Sequence, residues 1–195
     1  MTLPTLPLKV DLTHIPLSDA QFYQLCRNNP DLAIERDRQG ALIFMSPVGG
    51  DSGKKEANLI ADLIFWNRRT NLGEVFSSST LFTLPGGGDR SPDVAWVELS
   101  RWQALTPEQR QKFPPIAPDF VIELRSPTDR LSTLQNKMQE YLDSGVRLGW
   151  LIDPQEQRVE IYRQEREKEV RPLPTELSGE AVLPNLVLLI ERFES

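Results

Sequence analysis

The chain has 195 residues and a formal net charge of −6 at pH 7. This length suits a single domain, and the acidic charge counts against a protein that coats duplex DNA, because such binding usually needs a basic surplus. The charge does not exclude an enzyme, since bound divalent cations offset carboxylates that cluster at a site.

The scarcity of cysteine and histidine narrows the chemistry further. Cys26 is the only cysteine, so an internal disulfide is excluded and a reducing cytoplasm is the expected location. His14 is the only histidine, which disfavours a histidine-rich zinc site and a Ser-His-Asp hydrolase. No run of the sequence is apolar and long enough to span a membrane, and the N-terminus lacks the pattern of a signal peptide.

The N-terminal half predicts an irregular leader, a helix, a hairpin and a long helix. Residues 1–17 form the proline-containing leader, and Ser18 is typical of a helix N-cap. The hairpin is predicted over 32–36 and 41–45, and apolar residues at helical spacing predict the long helix over 54–70.

Gly73 is expected to end the long helix, because glycine commonly follows a helix C-terminus. The remaining elements are predicted in the following order: strands over 75–76, 80–84 and 92–97, one or two short helices over 99–113 with Pro107 at a helix start, a strand over 119–125, a helix over 130–143 that Thr128 or Asp129 caps and Gly145 closes, a strand over 146–152, a hairpin over 159–162 and 169–171, and a short apolar segment over 185–190.

The strand–helix–strand passage from 119 to 152 predicts a right-handed parallel crossover, and the hairpins predict antiparallel pairing. The expected fold class is therefore α/β, with a mixed β-sheet core flanked by helices in one domain over 1–195.

Glu123 is a charged residue in the middle of an otherwise apolar strand. Side chains alternate along a strand, so Asp119, Val121, Glu123 and Arg125 share one face. A buried charge costs several kcal/mol unless it is paired or binds a metal. An ion pair with Arg125 or another cation is one explanation, and a metal site is the other.

Asp93 supplies a second carboxylate at the start of an apolar strand, 30 positions before Glu123. Two carboxylates on neighbouring strands can share a hard divalent cation such as Mg²⁺. Glu56 lies in line with the apolar face of the 54–70 helix, and Asp51 competes with it as a third acidic residue. Lys137, on the helix after the Glu123 strand, is placed to reach back over the end of that strand.

The order of these motifs resembles a known family. Asp89-Arg90-Ser91-Pro92-Asp93 is followed by Pro118 to Pro127, then by Lys137, Tyr141, Gly145 and Trp150-Leu151-Ile152-Asp153-Pro154. This series of motifs resembles that of the Uma2 family, a group of bacterial proteins assigned as restriction endonucleases. The family lies within the PD-(D/E)XK superfamily of restriction-endonuclease-like nucleases. The resemblance covers most of the chain, from about Asp31 to Pro154 and beyond.

The resemblance implies a restriction-endonuclease-like core and an endonuclease that hydrolyses DNA phosphodiester bonds with Mg²⁺, for which Mn²⁺ substitutes. Asp93 and Glu123 would be the metal ligands, and Glu56 or Asp51 the helper carboxylate. Arg125 stands where the signature has a lysine. An arginine can stabilise a pentavalent phosphate but does not readily deprotonate water. Lys137 would then supply the missing lysine from the following helix.

Two alternative functions remain open from the sequence. One is a catalytically silent nuclease fold that binds DNA or another protein, which the acidic charge and Arg125 favour. The other is a metal-dependent hydrolase of nucleotides or small phosphate esters, which also fits the acidic charge. A homodimer is one expected arrangement, because two copies would place two sites for a double-strand cut.

Overall fold

The computed structural model of the protein describes residues 7–12 and 14–192. Its helices are α1 Asp19–Asn28, α2 Gly50–Thr70, α3 Leu99–Ala104, α4 Pro107–Gln111 and α5 Leu131–Asp143. Its strands are β1 Leu8–Val10, β2 Ile34–Arg36, β3 Leu42–Phe44, β4 Gly73–Ser77, β5 Phe82–Thr83, β6 Asp89–Arg90, β7 Val94–Glu98, β8 Phe120–Leu124, β9 Leu148–Asp153, β10 Arg158–Arg163, β11 Glu169–Pro172, β12 Thr175–Ser178 and β13 Val187–Ile190.

The larger sheet has six strands in the order β11-β10-β9-β8-β7-β4. Strands β8 and β9 run parallel and are joined through α5, while the other neighbours in this sheet are antiparallel. The predicted mixed sheet flanked by helices is therefore confirmed, including the parallel connection between 119 and 152.

Each face of this sheet is covered by a different set of elements, as side-chain alternation requires. On one face, Phe120 and Ile122 of β8 belong to a core that includes Leu63 of α2 and Leu188 of β13. On the other face, Val121 packs in a core that includes Met138 and Tyr141 of α5. Glu123 shares the face of Val121, so it points toward α5, as the sequence predicts.

A second sheet has the order β1-β3-β2-β6-β5, and its strands pair antiparallel. Ile34 and Leu42 of the β2–β3 hairpin pack with Phe22 of α1 in a small core. Because β2 alternates, Glu35 points away from α1. This orientation matters for the site.

Both ends of helix α2 differ from the sequence expectation. Helix α2 starts at Gly50, four residues before the predicted Lys54, and Asp51 therefore lies inside its first turn. Its C-cap is Asn71, which adopts a left-handed conformation with φ of 52°, whereas Gly73 begins β4. A Cβ on Gly73 would lie 2.3 Å from the Val97 carbonyl oxygen and 2.4 Å from the Trp96 ring, so this glycine is needed for close strand packing and not for helix termination.

The start of α5 and the leader also differ from expectation. Arg130 is the N-cap of α5 and makes no capping hydrogen bond, while the Asp129 carboxylate accepts from the Ser126 N–H and not from the helix. Within the predicted irregular leader, Leu8–Val10 forms β1 because it pairs with β3. Residues 1–6 and 13 of that leader lie outside the described residues. Across 7–12 and 14–192, no helix is both long and apolar enough to cross a bilayer.

Candidate functional site

Asp93 and Glu123 come together where β7 meets β8. Val94 lies opposite Ile122 in the antiparallel register, so Asp93, one residue earlier, lies across from Glu123. The Asp93 Oδ2 atom accepts a 2.6 Å hydrogen bond from the Leu124 N–H, which ties the carboxylate to the residue after Glu123. The start of one strand and the end of its neighbour thus hold both predicted carboxylates in one place.

Helix α5 supplies the partners of the Glu123 carboxylate. Tyr141 donates its hydroxyl to Glu123 Oε1 at 2.8 Å, and Lys137 Nζ lies 2.9 Å from the same oxygen and 3.1 Å from Oε2. Glu123 and Lys137 are 3% and 7% exposed, so both charges are buried. The cation that pairs with Glu123 is Lys137 and not Arg125.

Glu35 is a site residue that the sequence analysis missed. From β2 it reaches Lys137, with 2.9 Å between Glu35 Oε1 and Lys137 Nζ. Glu35 Oε1 also accepts the Ser91 N–H at 2.9 Å, and Glu35 Oε2 lies 3.0 Å from Arg90 Nη1. Unlike Glu123, which lies among apolar residues, Glu35 is followed in its strand by the charged Arg36, so the sequence does not single it out. The hairpin pattern alone does not reveal that β2 is buried on both faces.

Burial and nearby negative charge raise the pKa values of the two predicted ligands. The pKa of Asp93 is raised well above its ordinary value, first by burial and next by the negative charge of Glu123, with Glu56 adding to the effect. The pKa of Glu123 is also raised by burial, although the ammonium of Lys137 opposes the rise. Both carboxylates therefore lie in a place where a further positive charge would be favourable.

The other groups of the cluster keep fixed protonation states. Burial acts to lower the pKa of Lys137, but Glu123 and Glu35 outweigh it and raise that pKa, so the side chain is an ammonium. Lys137 and Arg90 likewise overcome burial and lower the pKa of Glu35, which is a carboxylate. Burial and Glu123 raise the pKa of Tyr141 well above its ordinary value, so its hydroxyl remains a donor.

Of the two candidate helper carboxylates, Glu56 is the one coupled to the site. Its Oε1 atom accepts a 2.5 Å hydrogen bond from the Ser78 hydroxyl, and its charge contributes to the raised pKa of Asp93. Asp51 is exposed in the first turn of α2. The geometry therefore favours Glu56 over Asp51.

Arg125 is directed elsewhere than the sequence analysis expected. Its Nη1 lies 2.9 Å from Asp153 Oδ2, and its Nε donates to the Asp129 carbonyl at 3.2 Å. Asp153 is fully buried at the end of β9. The structure thus gives Arg125 a partner outside the Asp93–Glu123 pair, and its expected part in stabilising a pentavalent phosphate stays a prediction.

The described residues contain no group of three or more histidine, cysteine, aspartate or glutamate side chains arranged to hold a metal ion. Magnesium, however, is commonly held by one or two protein carboxylates, with water and substrate phosphate completing its octahedral shell. Asp93 and Glu123 provide two such carboxylates, and burial is the first cause of their raised pKa values. This donor set fits Mg²⁺ or Mn²⁺ and is poorly suited to zinc.

Comparison with known proteins identifies the family of the chain. The family model of Uma2, described as "Putative restriction endonuclease", matches residues 19–191. Among solved structures, the chain is similar to "a putative nuclease belonging to DUF820" from Anabaena variabilis ATCC 29413, with a TM-score of 0.74 and 24% sequence identity, over 89% of this chain and 95% of that chain. At this identity the likeness shows a shared fold, and a comparison with curated proteins found no match. Because the family match spans Glu35, Asp93, Glu123 and Lys137, and nearly the whole chain with them, the chain belongs to the Uma2 family.

Proposed function

We propose that this protein is an endonuclease that hydrolyses DNA phosphodiester bonds at the Asp93–Glu123 site with Mg²⁺. One observation carries the proposal: an ammonium from α5, that of Lys137, meets the Glu123 carboxylate opposite Asp93, in a chain whose family is described as restriction endonucleases. Asp93 and Glu123 would correspond to the acidic pair of the superfamily signature, and Lys137 would supply its lysine from α5.

In this proposal Asp93 and Glu123 are the ligands of the cation. Bound Mg²⁺ would act as a Lewis acid on the scissile phosphate and would make a water molecule more acidic. Tyr141 holds the Glu123 carboxylate in position through its hydroxyl, and the Leu124 N–H does the same for Asp93. Fixed ligands lose little freedom when the cation binds, which favours binding.

Lys137 is proposed to stabilise the negative charge that develops on the phosphate. Because neighbouring carboxylates raise its pKa, its Nζ carries its full complement of protons and cannot accept one from water. A buried ammonium that is already in place stabilises a pentavalent phosphate without reorganisation. Glu56 is proposed as the helper carboxylate, since its charge acts on Asp93.

The test is cleavage of supercoiled plasmid DNA with Mg²⁺ or Mn²⁺ by purified protein. Asp93→Asn and Glu123→Gln keep the shape of each side chain and should each lower the rate about 10²-fold or more. Glu160→Gln is a matched control: Glu160 is a buried carboxylate of β10 that bonds to Gln135 and Lys168, and its variant should retain cleavage. Equal cleavage by all four proteins would mean that a contaminant, or another site, does the cutting.

A silent nuclease-fold module is the second candidate, because Lys137 already contacts both oxygens of Glu123. Calorimetric titration with Mn²⁺ separates the two, since a module without a working site should show no binding that depends on Asp93 or Glu123. Hydrolysis of nucleotides or small phosphate esters is tested by including them in the substrate panel.

A further inference from the structure

The ammonium of Lys137 is shared between carboxylates that belong to two different sheets. Lys137 Nζ lies 2.9 Å from Glu123 Oε1 in the six-stranded sheet and 2.9 Å from Glu35 Oε1 in the five-stranded sheet. It also donates to the Ser91 carbonyl at 3.3 Å. Three buried ionisable groups, each at most 7% exposed, therefore form one chain of contacts.

A divalent cation on Glu123 would change this arrangement, because it would compete with Lys137 for the same carboxylate. Two positive charges at one buried carboxylate repel each other. Lys137 would then lose much of its attraction to Glu123 and would need another partner to remain ordered in the site.

Glu35 can be that partner, because both of its carboxylate oxygens are held in position by other groups. The Ser91 N–H and the Arg90 guanidinium hold its two oxygens at 2.9 and 3.0 Å, and Arg90 is itself fixed by Glu140, with 2.6 Å between Arg90 Nη2 and Glu140 Oε2. Glu35 is a carboxylate whose pKa is lowered by Lys137 and Arg90 against the effect of burial. It is thus a fixed negative charge that stays in place when Glu123 is occupied.

We propose that Glu35 is a positioning residue that retains the ammonium of Lys137 when a divalent cation occupies Glu123. The role rests on the proposed function, because it presumes that Asp93 and Glu123 bind the cation. When the cation binds, Lys137 gives up its contact with Glu123 and keeps its contact with Glu35. The remaining contact with Glu35 makes this change favourable. Without Glu35, cation binding would leave a buried ammonium with the Ser91 carbonyl as its remaining partner at this point.

The test is Mn²⁺ binding measured by calorimetry in four proteins: wild type, Glu35→Gln, Lys137→Met and the double variant. Glu35→Gln should weaken binding about 10-fold or more, the usual effect of losing a group that supports a metal ligand. Lys137→Met should tighten binding, because the competing ammonium is gone. In the Lys137→Met background, Glu35→Gln should cost much less affinity than in wild type, because no ammonium is left to retain and only the direct effect of the Glu35 charge on Glu123 remains.

Glu160→Gln is the matched control, because Glu160 is also a buried carboxylate but bonds to Gln135, Tyr162 and Lys168, none of which belongs to the Glu35–Lys137 cluster. Its Mn²⁺ affinity should stay within about twofold of wild type. An equal loss for Glu35→Gln in both backgrounds, no loss in either, or an equal loss for Glu160→Gln would overturn the role of Glu35. No Mn²⁺ binding by wild type would overturn the proposed function itself, and the role of Glu35 with it.

A measurement on wild type covers the case in which Glu35→Gln does not fold. In protein labelled with ¹⁵N-lysine, the buried Lys137 ammonium should give a proton–nitrogen signal, assigned by its loss in Lys137→Met. On saturation with Mg²⁺ that signal should shift and persist, because Glu35 still protects it from exchange with water. Its disappearance would show that the ammonium has left the cluster, which contradicts the proposal.

Discussion

The hydroxyl of Tyr141 donates a 2.8 Å hydrogen bond to Glu123 Oε1, and both side chains are buried. Tyr141 lies one helical turn after Lys137 on α5, so a single face of this helix presents a neutral donor and a cation to the same carboxylate. The orientation of Glu123 is therefore set by α5 and not by its own strand alone.

Removing this hydroxyl should weaken both the fold and the site. For Tyr141→Phe we expect a loss of about 1.5–3 kcal/mol in the free energy of unfolding, the usual range for a hydrogen bond to a charged group. Mn²⁺ affinity should fall about 10-fold, since Glu123 would be held less firmly. Urea unfolding and calorimetry measure the two effects.

Tyr162→Phe is the control for this prediction, because the Tyr162 hydroxyl bonds in the same way to a different buried carboxylate, Glu160. It should lose stability but keep its Mn²⁺ affinity. A matching loss of affinity in both variants would mean that the effect comes from general destabilisation.

The Asp93 carboxylate should reduce stability at neutral pH. Burial and Glu123 raise its pKa above the ordinary value, so the folded protein binds this proton more tightly than the unfolded chain does. The stability contributed by the protonated form is complete below about pH 4, the ordinary value for aspartate, and is lost as the pH rises toward the folded-state pKa. Ionised Asp93 therefore lowers the free energy of unfolding.

Asp93→Asn should therefore be more stable than wild type at pH 7, by about 0.5–2 kcal/mol. The gain should vanish near pH 3, where wild-type Asp93 is protonated. Thermal unfolding across pH 3–8 measures it. Asp153→Asn, a buried aspartate paired with Arg125, should instead be less stable than wild type at pH 7. A gain for Asp93→Asn that is the same at every pH would contradict the electrostatic explanation.

Arg125 should matter for folding more than for cleavage. Its guanidinium pairs with Asp153, which is fully buried, and breaking such a pair from one side typically costs about 3–5 kcal/mol. We expect Arg125→Met to lose stability of that order while the folded fraction keeps a cleavage rate near wild type. Circular dichroism establishes the folded fraction for the plasmid assay. A rate reduced about 10²-fold in folded protein would return Arg125 to the active site.

How far the sequence predicts the site depends on how local the determining contacts are. Glu123 could be identified because its strand is long and apolar, and alternation alone assigns its face. Lys137 could be proposed because α5 follows that strand directly. The sequence does not predict that Glu35 lies near Glu123 and Lys137. Strand β2 reaches the site through its pairing with β6, in which Arg36 lies opposite Asp89, 53 residues later in the chain.

Turn chemistry explains most of the remaining differences in the fold. Gly73 was interpreted from local rules as a helix terminator, but Asn71 takes the left-handed position and Gly73 is required by the ring of Trp96 in the adjacent strand. Arg125 was expected near Glu123 by alternation, but the strand ends at Leu124, and beyond that point the side chain is free to turn toward Asp153.

Gly73 gives a direct test of this close packing. Gly73→Ala would place a methyl group 2.3 Å from the Val97 carbonyl oxygen, so β4 must shift relative to β7. We expect a loss of about 1–3 kcal/mol or more. Gly50→Ala is the control, because no heavy atom lies within 4 Å of its added Cβ and alanine favours the helix. Gly50→Ala should leave the free energy of unfolding unchanged or raise it, as measured by urea unfolding. A Gly73→Ala protein as stable as wild type would contradict the predicted steric clash.

The pairing of Glu35 with Lys137 should affect how the protein unfolds. One sheet contributes the anion and the helix packed on the other contributes the cation, so neither layer can open without breaking this buried ion pair. We therefore expect amide hydrogens of β2 and of α5 to exchange with solvent in one cooperative event. Mutations in the β2–β3 hairpin, far in sequence from the acidic signature, should then silence the site as effectively as mutations within it.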